Sequence, residues 1–337
     1  MATLKDIAKN TGFSLSVVSR ALNPKPDQQV APDTKARIEQ AMRDLNYRRN
    51  HAASLLARGK NAGIGVFLPG YGYSLIADLV IGISEAAACH DFQCSFYFGL
   101  DKRDYLRFLN SVETAGNAGI LSYMPDGEFS HGELSRAIAG FREQGGKMLL
   151  LNSSGLPEIG MESVNIDNHA GGRIAAEHLL NCGCDDYLCL STPKAWQTEQ
   201  RYAGFADALT QRGLSPRIAY IHSSGFHQYR EAEIKLLLSE SARRRVGIFA
   251  VSDFLAMEII RSFSQLGFQE ELGRNIRIIG YDNTPGSQYV LPALTTVNQP
   301  FRELGHCGMA TLLSMITGMD YRQNPVPLPQ LIVRESA

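Results

Sequence analysis

The sequence lacks any apolar run that reaches the roughly 18 residues of a membrane-spanning helix. Its N-terminus, MATLKDIA, has no apolar stretch behind a basic cluster, so it does not resemble a signal peptide. We therefore expect a cytoplasmic protein without a membrane partner.

Cysteine is present but unpatterned: the six residues, at positions 89, 94, 182, 184, 189 and 307, include no CxxC pair and no zinc-finger spacing. Cys182, Cys184 and His178 are the grouping that a metal could use, but a surface turn after a helix explains them better. The sequence predicts free thiols, no metal and no cofactor.

Catalytic motifs are also missing. There is no GxSxG elbow, HExxH or GxxxxGK[ST] sequence and no convincing carboxylate pair. His131, His169, His222 and His227 lie in polar or loop contexts without an evident nucleophile. An enzyme on an α/β scaffold is therefore disfavoured.

The net charge of -1 conceals an asymmetry between the two ends of the chain. Residues 1–60 contain eleven Lys and Arg against five Asp and Glu, whereas the remainder contains 22 against 29. A basic head on an acidic body indicates a polyanionic partner for the head alone.

Residues 3–23, TLKDIAKNTGFSLSVVSRALN, predict two short helices joined by a tight turn. Thr3 is suited to cap the first helix with Asp6 as its capping-box partner, Gly12 can adopt the positive φ of a turn, and Ser14 can cap the second helix. This pattern fits a helix-turn-helix or an ordinary helical hairpin. A third helix, from Pro32 to about Leu45, would complete a shared core and favours a DNA-binding module.

A basic segment and a short helical pattern follow, NYRRN and HAASLLA. The pattern is too short to be stable alone, so we expect it to order on DNA and to push Leu56 into a minor-groove step. A solvated linker is the alternative.

From Ala62 onward, short β patterns alternate with longer helical patterns, which predicts parallel sheets with helices on both faces. Eight strands are predicted at 64–69, 94–99, 119–124, 147–152, 186–191, 217–222, 246–252 and 276–282. Helices are expected at 75–90, 170–181, 199–212, 228–240 and 254–266. Eight strands suit two doubly wound halves, and ligands of such folds bind at the carboxyl ends of strands.

At this level of detail the chain resembles LacI/GalR-family bacterial transcription regulators over essentially its whole length. The resemblance is carried by the helix-turn-helix stretch and by DLNYRRNHAASLLARGK, IGVFLP, NIDNHAGGRIAAEHLL, RYAGFADAL, FAVSDFLAM, IIGYDNT, LPALTTVNQP and LPQLIVRES. It implies a homodimer that binds near-palindromic operator DNA and a periplasmic-binding-protein-like domain whose small ligand changes DNA affinity.

The resemblance implies three parts: a helix-turn-helix domain (1–47), a hinge helix and linker (48–61), and an effector-binding and dimerisation domain (62–337). The last would consist of an N-subdomain (about 62–164 and 298–324) and a C-subdomain (about 165–297 and 325–337). The chain departs from the family in a longer loop after Asn23, in Ala31 where a Ser cap is usual, and in Arg49 where Pro is common. It has no helical extension for tetramers after VRES, which favours a dimer.

Residues that match the family's DNA contacts fall into three groups. Phosphate or backbone contacts are expected from Thr3, Ser14, Ser19, Arg20, Asn23 and Asn50. Base readout is expected from Leu15, Ser16 and Val17, and minor-groove contacts from Ala53 and Leu56.

The matching effector positions are Tyr71, Tyr73, Ser122, Asn152, Trp196, Arg201, Phe226, Ser252, Asp282, Gln299 and Phe301. Aromatic faces beside hydroxyl, amide, carboxylate and guanidinium groups suit a sugar, and a nucleobase or another metabolite is the alternative. Each position also has a structural explanation. Phe226 and Phe301 suit a core, Trp196 can pack on a neighbouring helix, and Arg201 and Asp282 can form an ion pair across the cleft.

The resemblance thus predicts a sequence-specific DNA-binding transcriptional repressor whose operator affinity is controlled allosterically by the ligand. A sugar-binding transport-type protein shares the effector fold, but the basic head and the absence of a signal peptide disfavour it.

Overall fold

The computed structural model describes residues 3–22, 30–45, 47, 62–70, 74–124, 129, 131–156, 159–192, 195–220, 244–321 and 325–337. The chain divides into two compact units, residues 1–57 and 58–337. None of the helices in the described ranges has both the length and the apolar character that a membrane crossing requires.

The first unit contains three described helices, α1 (Leu4–Thr11), α2 (Leu15–Leu22) and α3 (Pro32–Asp44). The predicted capping box is confirmed: the Thr3 side chain accepts from the Asp6 amide, and the Asp6 carboxylate accepts from the Thr3 amide at 2.8 Å. These hydrogen bonds also lower the pKa of Asp6. Gly12 ends α1 with a φ of 74°, as the turn prediction requires.

The three helices share one small core, in which Ile7, Val18 and Ile38 are fully buried. Each of these residues comes from a different helix, so the core fixes how the helices pack. Ala31 provides no side-chain hydrogen bond to the start of α3, which confirms the missing cap, and Pro32 occupies the first helical position instead.

The second unit contains two sheets. The first sheet has the order β2-β1-β3-β4-β5, and the second has the order β11-β10-β9-β8-β6-β7. Their strands are β1 (Gly63–Pro69), β2 (Gln93–Gly99), β3 (Gly119–Ser122), β4 (Lys147–Leu151), β5 (Glu162–Val164), β6 (Asp186–Ser191), β7 (Arg217–Tyr220), β8 (Val246–Ala250), β9 (Ile276–Asp282), β10 (Thr295–Asn298) and β11 (Gln330–Ile332).

The helices of this unit are α4 (Ser74–Ala88), α5 (Lys102–Thr114), α6 (His131–Glu143), α7 (Asn168–Asn181), α8 (Trp196–Thr210), α9 (Asp253–Gln265) and α10 (Phe301–Thr317). The predicted α/β architecture is confirmed, and all eight predicted strands are present. The predicted helix at 228–240 and residues 221–222 lie outside the described residues.

Three strands escaped the sequence prediction: β5, β10 and β11. Each has only three or four residues, which is too short for a recognisable alternation of polar and apolar side chains. The pairing of β10 with β11 is antiparallel, so the second sheet is not purely parallel as expected. An edge position tolerates this, because β11 pairs on one side only.

The chain passes between the two sheets more than once. It leaves the first sheet after β5 and enters the second through α7, which packs against β8, β10 and β11. After β10 it returns to the first sheet, where α10 packs against β3 and β4, and β11 then rejoins the second sheet. Residues around 165–168 and 299–300 therefore lie where the two sheets are connected.

Glycine allows a very close contact between helices in each half of this unit. A Cβ on Gly82 of α4 would lie 1.9 Å from the Arg302 carbonyl oxygen of α10. A Cβ on Gly172 of α7 would lie 1.9 Å from the Arg201 carbonyl oxygen of α8. The second contact places the α8 backbone, and with it Arg201, directly against α7.

A Gly82→Ala substitution is expected to destabilise the protein by about 1–3 kcal/mol, because the methyl group would collide with rigid backbone. The matched control is Gly132→Ala in α6, where a Cβ meets nothing within 4 Å. That control should be neutral or stabilising by up to about 1 kcal/mol. Urea unfolding measures both, and equal stability of the two variants would contradict this packing.

Candidate DNA-binding and effector sites

The start of α2 presents a short polar and apolar surface. Ser14, Leu15, Ser16 and Arg20 are exposed, whereas Val17 and Ser19 are half-buried. The exposed fraction of Leu15 is 45%, so its side chain is available for contact at the surface. Hydroxyls and an apolar tip at the N-terminal end of a second helix are suited to base edges and thymine methyl groups.

Local hydrogen bonds hold this surface in shape. The Ser14 hydroxyl accepts from the Val17 amide at 3.4 Å, which confirms its predicted capping role, and lies 2.9 Å from the Ser16 hydroxyl. Arg20 donates from Nε to the Ser16 carbonyl, so its side chain runs back along the helix toward the same end. Thr3 is exposed at the start of α1. The predicted contacts of Asn23, Asn50, Ala53 and Leu56 lie outside the described residues and stay predictions.

Arg201 is the central group of the second site. Its Nε donates to Asn168 Oδ1 at 2.9 Å, Nη1 to the Val251 carbonyl at 2.7 Å and Nη2 to Gln299 Oε1 at 3.2 Å. The guanidinium carbon lies 3.8 Å from the centre of the Tyr281 ring. Only 7% of this residue is exposed, so its charge is stabilised by protein groups rather than by water.

Asp282, at the end of β9, is the matching carboxylate. Its Oδ1 lies 3.7 Å from Arg201 Nη1 and accepts from Gln299 Nε2 at 2.6 Å. Burial raises the pKa of Asp282 to about 7, against the opposing effects of the Arg201 charge and the Gln299 hydrogen bond. About 15% of the Asp282 side chain remains exposed at the end of the strand.

Asn168, the first residue of α7, extends this network to the first sheet. Its amide nitrogen donates to Asn152 Oδ1 at 2.8 Å, while its oxygen accepts from Arg201. Asn152 directly follows β4 and has a φ of 47°, a conformation that asparagine tolerates better than most residues. A continuous series of buried hydrogen bonds thus runs from the end of β4 to the end of β9.

The structure brings together four of the predicted effector residues, Asn152, Arg201, Asp282 and Gln299. It places others differently. Ser122 is fully buried and its hydroxyl donates to Tyr105 Oη and to the Tyr123 carbonyl, so a ligand contact from this hydroxyl is not supported. Its position at the end of β3 matched the expected strand edge, but the side chain points into the core of the first half.

Three further predicted residues have local structural roles. Ser252 caps α9 by accepting from the Leu255 amide, Phe301 begins α10 and is 8% exposed, and Trp196 begins α8 and is half-buried. The burial of Phe301 agrees with its structural explanation, and ligand contacts from all three residues stay predictions. Tyr71, Tyr73 and Phe226 lie outside the described residues.

Two members of the network were missed from the sequence, Asn168 and Tyr281. Both lie inside motifs that carried the family resemblance, NIDNHAGG and IIGYDN, but a buried amide and a buried ring have no distinctive sequence signal. Within the described part of the chain, no group of three or more His, Cys, Asp or Glu side chains could hold a metal.

Two family models match the chain. The model described as "Bacterial regulatory proteins, lacI family" matches residues 3–50, and the one described as "Periplasmic binding protein-like domain" matches residues 176–337. These two models, together with the relatives described below, support a LacI/GalR-family bacterial transcription regulator. The protein is a regulator and not an enzyme.

Curated relatives of this LacI/GalR-family regulator match it over its whole length. The ribose operon repressor of Halalkalibacterium halodurans is 26% identical over 100% of this chain and 97% of that protein. The transcriptional repressor PurR of Photobacterium profundum is 27% identical over 100% and 98%.

Solved structures share the fold. The CelR–cellobiose complex superposes with a TM-score of 0.68 at 23% identity, covering 100% of both chains. A Lac repressor dimer bound to operator and the anti-inducer ONPF gives a TM-score of 0.66 at 24% identity, covering 99% of this chain and 98% of that one.

The buried carboxyl of Asp282 makes stability depend on pH. Because its folded pKa of about 7 lies above the ordinary value of 3.8, its contribution to stability is present at low pH and is lost as the pH rises through about 7. The side chain of Asp282→Asn cannot ionise. Between pH 5 and pH 8, the free energy of unfolding of this variant should therefore rise relative to that of the wild type by on the order of 2 kcal/mol.

Urea unfolding at a series of pH values measures this difference. The control is Asp91→Asn, which changes an exposed carboxylate in a turn of the first half. A difference between Asp282→Asn and wild type that does not vary with pH would contradict the burial of this carboxyl group.

Proposed function

We propose that this LacI/GalR-family regulator binds near-palindromic operator DNA as a cytoplasmic homodimer and that a sugar, bound at Asp282, changes its operator affinity. The observation that carries the proposal is the partly exposed Asp282 side chain, whose carboxylate lies beside Arg201 and Gln299 at the ends of β9 and β10. Sugar hydroxyls can donate to the carboxylate and accept from the Gln299 amide.

The relatives support a ligand of this class. Their names and titles mention a ribose operon for one and cellobiose for another, and both match the full length of this chain. In the described part of the site, the charge of Arg201 is already balanced by Asp282, which favours an uncharged ligand. A nucleobase is the second candidate, and repressors named PurR are among the relatives.

Allosteric control needs only a ligand that binds two states of the protein unequally. The Asn152–Asn168 hydrogen bond joins the ends of elements from the two halves next to Arg201. A ligand that competes for these groups, or adds to them, would change the relative orientation of the halves. The relative orientation would in turn change how the two DNA-binding units of a dimer are spaced.

Trp196 offers a direct test of effector binding, because it is the sole tryptophan of the chain and begins the helix that carries Arg201. Titration with D-ribose, cellobiose, other mono- and disaccharides and purines should change its fluorescence for at least one sugar. Asp282→Asn should weaken that sugar at least tenfold, through loss of a charge-assisted hydrogen bond of about 1.5–3 kcal/mol.

The Asp91→Asn control should bind as the wild type does. A response to purines and to no sugar would transfer the assignment to the second candidate. A response that Asp282→Asn leaves unchanged would show that the ligand binds elsewhere.

The DNA-binding proposal predicts a strong salt dependence. Operator affinity, measured by fluorescence anisotropy on DNA selected from genomic fragments, should fall steeply between low and physiological salt. Arg20→Gln should weaken all sequences similarly and reduce the salt slope by about 1 for each head.

The matched control is Arg43→Gln on α3, an exposed arginine that hydrogen bonds to Gln40 within its own helix. It should leave the slope unchanged. An affinity that does not respond to salt would contradict phosphate contacts from this unit.

A further inference from the structure

The chain is strained where it leaves β9. Asp282 and the residue after it, Asn283, have φ values of 124° and 53°, so two consecutive residues other than glycine lie in the region that side chains disfavour. Such a conformation persists only where the surroundings hold it in place. In this protein it directs the carboxylate that the proposed function assigns to the effector.

Arg334 provides the longest-range of these restraints. Its Nη2 donates to Asn283 Oδ1 at 2.7 Å, across 51 positions of sequence. On the other side, Asn283 Nδ2 donates to Asn298 Oδ1 at 3.1 Å and its amide to Thr296 Oγ1 at 3.2 Å. Asn283 is thus held between the segment after β11 and strand β10.

Arg334 is itself fixed in place. Its Nη1 donates to the Leu294 carbonyl at 2.6 Å and to Ser287 Oγ at 3.1 Å, and its backbone amide donates to Thr295 Oγ1 at 2.9 Å. Two residues later, the buried Ser336 donates to the Ile278 carbonyl at 2.6 Å. The guanidinium is therefore held in place at several points. Its planar shape lets Nη1 bind Ser287 and Leu294 while Nη2 binds Asn283.

A buried carboxylate completes the turn. Asp253, with no exposed surface, accepts from the Thr284 amide at 2.7 Å and from the Thr284 hydroxyl at 3.0 Å. The charges that act on Asp282 are those of Arg201 from α8 and Asp253 from α9, and the charge of Arg334 acts on Asp253.

We propose that Arg334 is a positioning residue of the effector site, which holds the strained Asp282–Asn283 turn so that the Asp282 carboxylate stays buried beside Arg201 and Gln299. This inference rests on the proposed role of Asp282. Arg334 does not itself contact the Asp282 carboxylate, and we infer that it orients this group through Asn283.

The direction in which the pKa of Asp282 changes when Arg334 is replaced separates a positioning role from a simple charge effect. Removing a nearby positive charge would raise the pKa of Asp282. Releasing the turn into water would lower it toward the ordinary value. The pKa is obtained from unfolding free energies at a series of pH values, as the difference between each variant and the same variant carrying Asp282→Asn.

Arg334→Gln is expected to lower the folded-state pKa of Asp282 by about one pH unit or more. This pKa is the pH at which the free-energy difference levels off, and it is called the midpoint below. Arg334→Lys, which keeps the charge but has one ammonium instead of a fork, should lower it as well. Arg245→Gln is the matched control, because Arg245 also donates to a backbone carbonyl of this half, that of Cys182, but at the opposite end of β8. It should leave the midpoint unchanged.

The Asn283→Gly background tests whether Arg334 acts on Asp282 through the Asn283 side chain. Glycine accepts positive φ and removes the side chain that Arg334 contacts, so Arg334→Gln should have little further effect on the midpoint there. A midpoint that rises or stays constant in Arg334→Gln, or an equal effect in both backgrounds, would overturn the inference. Absence of any pH-dependent difference in the wild-type background would contradict the burial of the Asp282 carboxyl group, and with it the inference. The effector role of Asp282 is tested separately, by sugar titration followed by Trp196 fluorescence.

Discussion

The buried guanidinium of Arg201 is the constraint on which the proposed effector site depends. A charge in a protein interior is tolerated only when its donors are satisfied and a counter-charge is near. Here the acceptors come from the start of α7, the end of β8 and the connection after β10, with the Tyr281 ring beneath. The hydrogen bonds of this one side chain therefore hold together the segments where the chain passes between the two sheets.

Glycine makes this arrangement possible. Gly172 lets the backbone of α8 approach α7 so closely that Arg201 and Asn168 can hydrogen bond, and Gly82 allows a similar contact between α4 and α10. Each half of the unit thus contains one tightly packed helix pair. The regulator combines rigid helix pairs with a few polar links between the halves, and a bound ligand can act on such links without disturbing either core.

Much of this structure was predictable, and the exceptions have physical reasons. Local rules predicted the Thr3 capping box, the Gly12 turn and eight of the strands, because caps, turns and buried strands leave short-range patterns. The resemblance located Arg201, Asp282 and Gln299, and the structure brings them together. The inward hydroxyl of Ser122 and the roles of Asn168 and Arg334 depend on packing between distant segments, which no local pattern encodes.

The central claim is that binding at Asp282 and binding of operator DNA are coupled. The most direct measurement compares two pairs of affinities. Trp196 fluorescence gives the sugar affinity of the free protein and of the operator-bound protein. The operator affinity is then measured with and without that sugar. Linkage requires the two ratios to be equal, and the proposed allostery predicts a common factor of roughly 5–150. Equal sugar affinities in the free and DNA-bound protein would contradict the account.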